Sequence, residues 1–83
     1  MRDRIQIELA EADVEIGFNL VDLAEEESRV GDVSAASQTL AAAEGVLKDL
    51  SHRLFQLGTG KSTPFQPLVA ELRRTIELAK LHN

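Results

Sequence analysis

Apolar residues between positions 33 and 57 recur at alternating steps of three and four: Val33, Ala36, Leu40, Ala43, Leu47, Leu50, Leu54 and Leu57. At 3.6 residues per turn this rhythm puts all eight on one stripe and predicts a helix over 33–57. A stripe so regular has to be buried against a partner surface. A second helix is predicted over 4–29, with Asp3 as its N-cap. Between the two, Gly31 can take the left-handed conformation that ends a helix, and Asp32 can cap the next one. Residues 58–64 (GTGKSTP) read as a flexible break. A third helix is predicted over 67–81, opening around Pro64 to Pro67. Thr63 and Gln66 have capping-box spacing, and Pro67 disfavours helical geometry at Gln66. No stretch shows strand alternation. The pattern therefore predicts an all-α fold, an antiparallel three-helix bundle formed by one domain over residues 1–83.

The first helix is apolar on more than one side. Ile5, Leu9, Ile16, Leu20 and Leu23 form one stripe, and Ile7, Val14, Phe18 and Val21 form another roughly opposite. Ala10, Gly17 and Ala24 run between them, one heptad apart. Glu8, Glu11, Glu15, Asp22 and Glu26 fill the remaining arc. Glycine inside a helix costs about 1 kcal/mol relative to alanine, which implies a packing reason for Gly17. Apolar and small residues cover about two-thirds of the circumference at ~100° per residue, more than a bundle-edge helix needs. The expectation is that Ile7, Val14, Phe18 and Val21 meet another molecule, with Asp13 at their margin. Asp13, within an apolar arc, is expected to pair with Arg73 or Arg74 or to lie at a wet interface. In the third helix Leu68, Val69, Leu72, Ile76 and Ala79 should face inward under a Phe65 lid. Leu78 and Leu81 fall off that stripe.

Composition narrows the classes. The chain has 83 residues, no cysteine and only three aromatic side chains, all Phe. Stability must come from helix packing, alone or with oligomerisation, and a homodimer is the expected way to supplement a small core. The lack of cysteine, an acidic N-terminal segment unlike a secretory leader, and the lack of a long apolar run imply a soluble cytoplasmic chain without membrane partners. The net charge of −5 is unevenly spread. Residues 1–32 carry ten acids and three bases, whereas residues 33–83 carry four acids and six bases. Without a basic footprint, nucleic acid is not an expected ligand.

Three local patterns touch on chemistry. Gly58-Thr59-Gly60-Lys61-Ser62-Thr63 resembles the end of a phosphate-binding loop, but Phe55 stands where that loop needs its first glycine, and a helix precedes it instead of a strand. Glu8, Glu11 and Glu15 share a face, yet neither His52 nor His82 follows a glutamate at the three-residue spacing of di-iron bundles. No metal or other cofactor is expected. Ser51-His52-Arg53-Leu54 resembles the surroundings of the phosphoaccepting histidine in histidine phosphotransfer domains, with Phe55 and Gln56 in place of that family's lysine and glycine. The resemblance implies phosphotransfer through His52.

A wider resemblance involves Leu20, Leu23, Ala24, Gly31, Ala36, Leu40 and Ala43, whose spacings are similar to those of a tetratricopeptide-type helical hairpin. Leu20, Glu27 and Lys48 stand where that family has tryptophan, tyrosine and proline. With a third helix, the unit resembles the microtubule-interacting-and-transport domain, which implies binding of an amphipathic peptide in a groove. The function expected is thus non-enzymatic: protein–protein contact, as a homodimer or as an adaptor for an amphipathic helix of another protein. Phosphotransfer through His52 is the alternative.

Overall fold

The computed structural model describes residues 2–81 and is a rod of 45 × 18 × 14 Å. It is an all-α three-helix bundle: α1 (Arg2–Arg29), α2 (Val33–Leu57), a single-turn α3 (Thr59–Ser62), a 3-10 turn (Thr63–Phe65) and α4 (Gln66–Leu81). Among the described residues no helix is long and apolar enough to cross a membrane.

The α1–α2 corner follows from Gly31 and Asp32. Gly31 has φ +88, and its N–H donates to the Ser28 carbonyl at 3.1 Å. The Asp32 N–H donates to the Glu27 carbonyl at 2.8 Å, completing the paired bonds that close a helix C-terminus. The Asp32 carboxylate then accepts the Ala35 N–H at 3.1 Å and caps α2. Two expected starts differ. Helix α1 already includes Arg2, so Asp3 lies in its first turn, where an acid favours the positive end of the helix dipole, and is not the cap. Helix α4 begins at Gln66, whose φ −57 and ψ −44 are helical despite the following proline. Pro67 sits in the first turn, where its missing N–H leaves no hydrogen bond unmade.

The expected break over 58–64 is also mostly helical. Gly58, at φ 88 and ψ 163, ends α2 in a conformation essentially reserved for glycine, and the chain resumes as α3. The capping box does not form. Thr63 turns its hydroxyl back to the Thr59 carbonyl at 2.6 Å, and Ser62 donates to the same carbonyl at 3.3 Å. These bonds satisfy the short turn locally and bring Phe65 into the core.

Contacts between helices set their directions. Lys61 pairs with Asp3, Arg53 with Asp13, and Thr39 with Glu27, so α1 and α2 run antiparallel. Leu72 lies on Gly17, and Ala79 packs beside Ala24, so α4 runs parallel to α1. The main core gathers Ala10, Val21, Ala43, Leu50, Leu54, Phe65, Val69, Leu72 and Ile76. A satellite of Ala24, Ala36 and Leu40 closes the hairpin end, where small residues let α1 and α2 approach. Each fully buried Leu or Ile contributes roughly 1.5–3 kcal/mol before chain ordering is counted. The α2 ladder is buried or half-buried except for its first rung, Val33, which sits at the exposed corner. Leu68, expected inward, is exposed on the first turn of α4, and Leu78 and Leu81 are exposed off the main stripe.

Gly17 is the tightest point. A methyl group there would sit 2.6 Å from Leu72 Cδ2 and 3.2 Å from Cδ1, and Leu72 is itself fully buried. Gly45, in the middle of α2, has open space instead. Gly45→Ala should therefore gain about 0.5–1 kcal/mol of helix propensity. Gly17→Ala should lose about 1 kcal/mol net, because displacing Leu72 in a packed core outweighs the same gain. Urea unfolding of both variants checks this; equal stabilisation would contradict the packing.

A second expectation concerns alkaline pH. Lys80 Nζ donates to Glu44 Oε2 at 2.7 Å, tying α4 to α2. That hydrogen bond outweighs the opposing desolvation, and the charges of Glu44 and then Glu77 add to it, so the Lys80 ammonium is held above its ordinary 10.5. The stabilisation is complete below pH 10.5 and is lost as pH rises through the higher folded value. Thermal melts above about pH 10.5 should show a loss that Lys80→Met removes.

The outer face of the first helix as a candidate functional site

The structure reverses the expected orientation of α1. Val21 is fully buried, and Ile7, Val14 and Phe18 are half-buried against the main core of the same chain. These residues, expected to meet another molecule, instead pack with α2 and α4. The opposite stripe faces outward: Ile5 is 57% exposed, Leu9 42%, Ile16 47% and Leu23 50%. Leu20, next to it, is half-buried. The surplus apolar surface inferred from α1 is therefore present, on the other side of the helix.

The inward side is decided by size as well as polarity. Ile7, Ala10, Val14, Gly17, Val21 and Ala24 follow at steps of three, four, three, four and three, the same rhythm as the α2 ladder. At Gly17 the small seam accepts Leu72 at a distance that Leu9, Ile16 or Leu23 would not permit. The outer stripe has a different rhythm. Leu9, Ile16 and Leu23 lie one heptad apart, with Ile5 one turn before Leu9.

Its two borders differ. Toward α2, polar clamps seal the groove. Arg53 Nε donates to Asp13 Oδ2 at 3.1 Å, and its Nη1 donates to Gln6 Oε1 at 2.8 Å. Thr39 donates its hydroxyl to Glu27 Oε1 at 2.6 Å. Asp13 thus finds its base on α2, in place of Arg73 or Arg74 on α4, because the rotation of α1 turns it toward α2. On the free border, each heptad rung directly follows an acid: Glu8 before Leu9, Glu15 before Ile16, Asp22 before Leu23. Arg4 reaches Glu8 at 3.7 Å, an exposed pair worth little, while Glu15 and Asp22 have no ion-pair partner among the described residues.

The other sequence patterns go elsewhere. His52 is exposed on α2, with the Gln56 amide nitrogen 3.4 Å from its Nε2. Lys61 of the phosphate-loop-like segment bonds Asp3, and Ser62 is buried in its own turn. Glu8, Glu11 and Glu15 are exposed, and among the described residues no group of three or more His, Asp or Glu side chains is placed to hold a metal ion. His82 lies outside the described residues. Comparison with known proteins finds no matching family model, characterised protein or solved structure. Ala24, Ala36 and Leu40 form one buried cluster at the hairpin end.

The Asp13–Arg53 pair, three-quarters or more withdrawn from water, should be energetically distinct from the exposed Arg4–Glu8 pair. A double-mutant cycle of Asp13→Ala and Arg53→Met should give a coupling of about 1 kcal/mol, and the Arg4–Glu8 cycle about zero. Equal couplings would remove the distinction.

Proposed function

We propose that this chain is a non-enzymatic helical bundle working through protein–protein contact, with Ile5, Leu9, Ile16 and Leu23 as its contact residues. One observation carries the reading: four large apolar side chains stand half-exposed in a single stripe along a helix whose other side packs against α2 and α4. Its occupant is either a second copy or an amphipathic helix of another protein. Asp13 stays at the margin of this contact, on the border toward α2.

Magnitudes describe the kind of contact. Completing the burial of four half-exposed side chains yields roughly 1 kcal/mol each. Association costs at least about 4 kcal/mol in lost rigid-body freedom. The stripe alone therefore gives weak, reversible binding, and a useful affinity requires polar complementarity around it.

A photo-crosslinking side chain placed at position 16 tests the reading against one at Gly45, on the far side of α2. Adducts to protein, whether a second copy or another chain, should form from position 16 and disappear when Leu9→Ser and Leu23→Ser are added. The same two substitutions should lower stability by only about 1 kcal/mol per site, the share of each leucine that the bundle already covers. Equal adducts from both positions, or unfolding of the isolated Ser variant, would overturn the proposal.

A further inference from the structure

Resting on that reading, we infer that the occupant of the outer face is an amphipathic α-helix of another protein carrying lysine or arginine along one flank, and not a second copy of this chain. The spacing comes first. Leu9, Ile16 and Leu23 repeat every seven residues, the period at which one helix lays its side chains along another. From Ile5 to Leu23 the stripe runs about 27 Å at 1.5 Å per residue, the length of a helix of about eighteen residues.

Charge then chooses among helices. In heptad terms Leu9, Ile16 and Leu23 occupy the central apolar position, and Glu8, Glu15 and Asp22 occupy the flanking position before it. Side chains there face the flank of an incoming helix and select partners by charge. On the other flank stand Gln6, Asp13, Leu20 and Glu27, with Arg53 already committed to Asp13 and Gln6. Across the groove, Asp49 is exposed on α2, between Val46 and Arg53 on the α1-facing edge. Among the described residues Arg4 borders the stripe at its start, where it reaches Glu8 at 3.7 Å, and no base stands beside Glu15 or Asp22.

A second copy of α1 would consequently meet its own sign. Paired parallel, Glu8 faces Asp13 of the copy, and Asp22 faces Glu27. Paired antiparallel, the acidic flank faces itself. A basic flank instead meets Glu8, Glu15 and Asp22 in succession and supplies the attraction that four half-exposed side chains do not.

Three synthetic 21-residue peptides test the inference against the full chain by fluorescence anisotropy. The first carries leucine at the apolar heptad positions and lysine on both flanks; the second has glutamate on the flanks; the third keeps lysine but has serine at the apolar positions. The first should bind at least tenfold tighter than either of the others. Its affinity should fall at least tenfold with Ile16→Ser, at least tenfold with Glu15→Gln/Asp22→Asn, and with added salt. All these positions are exposed, so helicity by circular dichroism should stay unchanged. Equal binding of lysine- and glutamate-flanked peptides, both lost with Ile16→Ser, would overturn the basic partner and leave the contact face standing. A dimer in sedimentation that Ile16→Ser dissolves would do the same in favour of a second copy. Lysine-peptide binding indifferent to Ile16→Ser, or no binding by any peptide, would overturn both.

Discussion

The approach of Leu72 to the backbone of α1 at Gly17 determines the arrangement of this bundle. A Cβ at position 17 would stand 2.6 Å from Leu72 Cδ2 and force that buried side chain to shift, in a seam whose other members, Ala10 and Ala24, are nearly as small. Glycine in mid-helix costs about 1 kcal/mol, and full burial of a leucine contributes roughly 1.5–3, so the exchange favours the close contact. Because the seam is narrow, it also sets the rotation of α1. Turning the helix to bring Leu9, Ile16 and Leu23 inward would drive three large side chains into space shaped for Ala and Gly. The outer stripe is left in solvent by this constraint, although its residues are as apolar as those inside.

Polar contacts reinforce the same rotation. Asp13, Gln6 and Glu27 all turn to α2, where Arg53 and Thr39 receive them. None of these contacts is a large source of stability, the Asp13–Arg53 pair being the most withdrawn from water of the ion pairs among the described residues. Their effect is on register: sliding α2 by one turn would separate the Asp13–Arg53 and Glu27–Thr39 pairs together. The Lys61–Asp3 contact links α3 to α1 near one end of the rod, and Lys80–Glu44 links the last turn of α4 to the middle of α2.

Much of this was legible in the residue pattern, and the failures are instructive. The bounds of α2 follow from its ladder together with Gly31 and Asp32. The need for close packing at Gly17 follows from the helix-propensity cost of glycine. The rotation of α1 was harder to read, because the inward ladder through Ala10, Gly17 and Ala24 has weak hydrophobicity and the outward stripe has strong hydrophobicity. Ranking stripes by apolarity selects the wrong face when small residues are chosen for proximity. The helical course of 59–65 was obscured for a different reason: Gly, Thr, Ser and Pro are poor helix formers individually, and the turn is held by Ser62 and Thr63 bonding back to Thr59 and by burial of Phe65. The acid-before-apolar repeat at Glu8-Leu9, Glu15-Ile16 and Asp22-Leu23 lay in plain view. It acquires meaning only once Leu9, Ile16 and Leu23 are known to face outward.

The orientation of α1 decides which of its residues belong to the core and which face solvent, so it is the point to measure. The chain has no cysteine, which allows a single thiol to be placed at Ile16 or at Val21 and its alkylation followed in dilute solution. With α1 packed through its small seam, the thiol at position 16 should react nearly as fast as in an unfolded peptide. The thiol at position 21 should react at least about a hundredfold more slowly, through opening of the fold. Fast labelling at 21 with protection at 16, in single chains, would show that the helix is turned the other way and that the outer stripe is core.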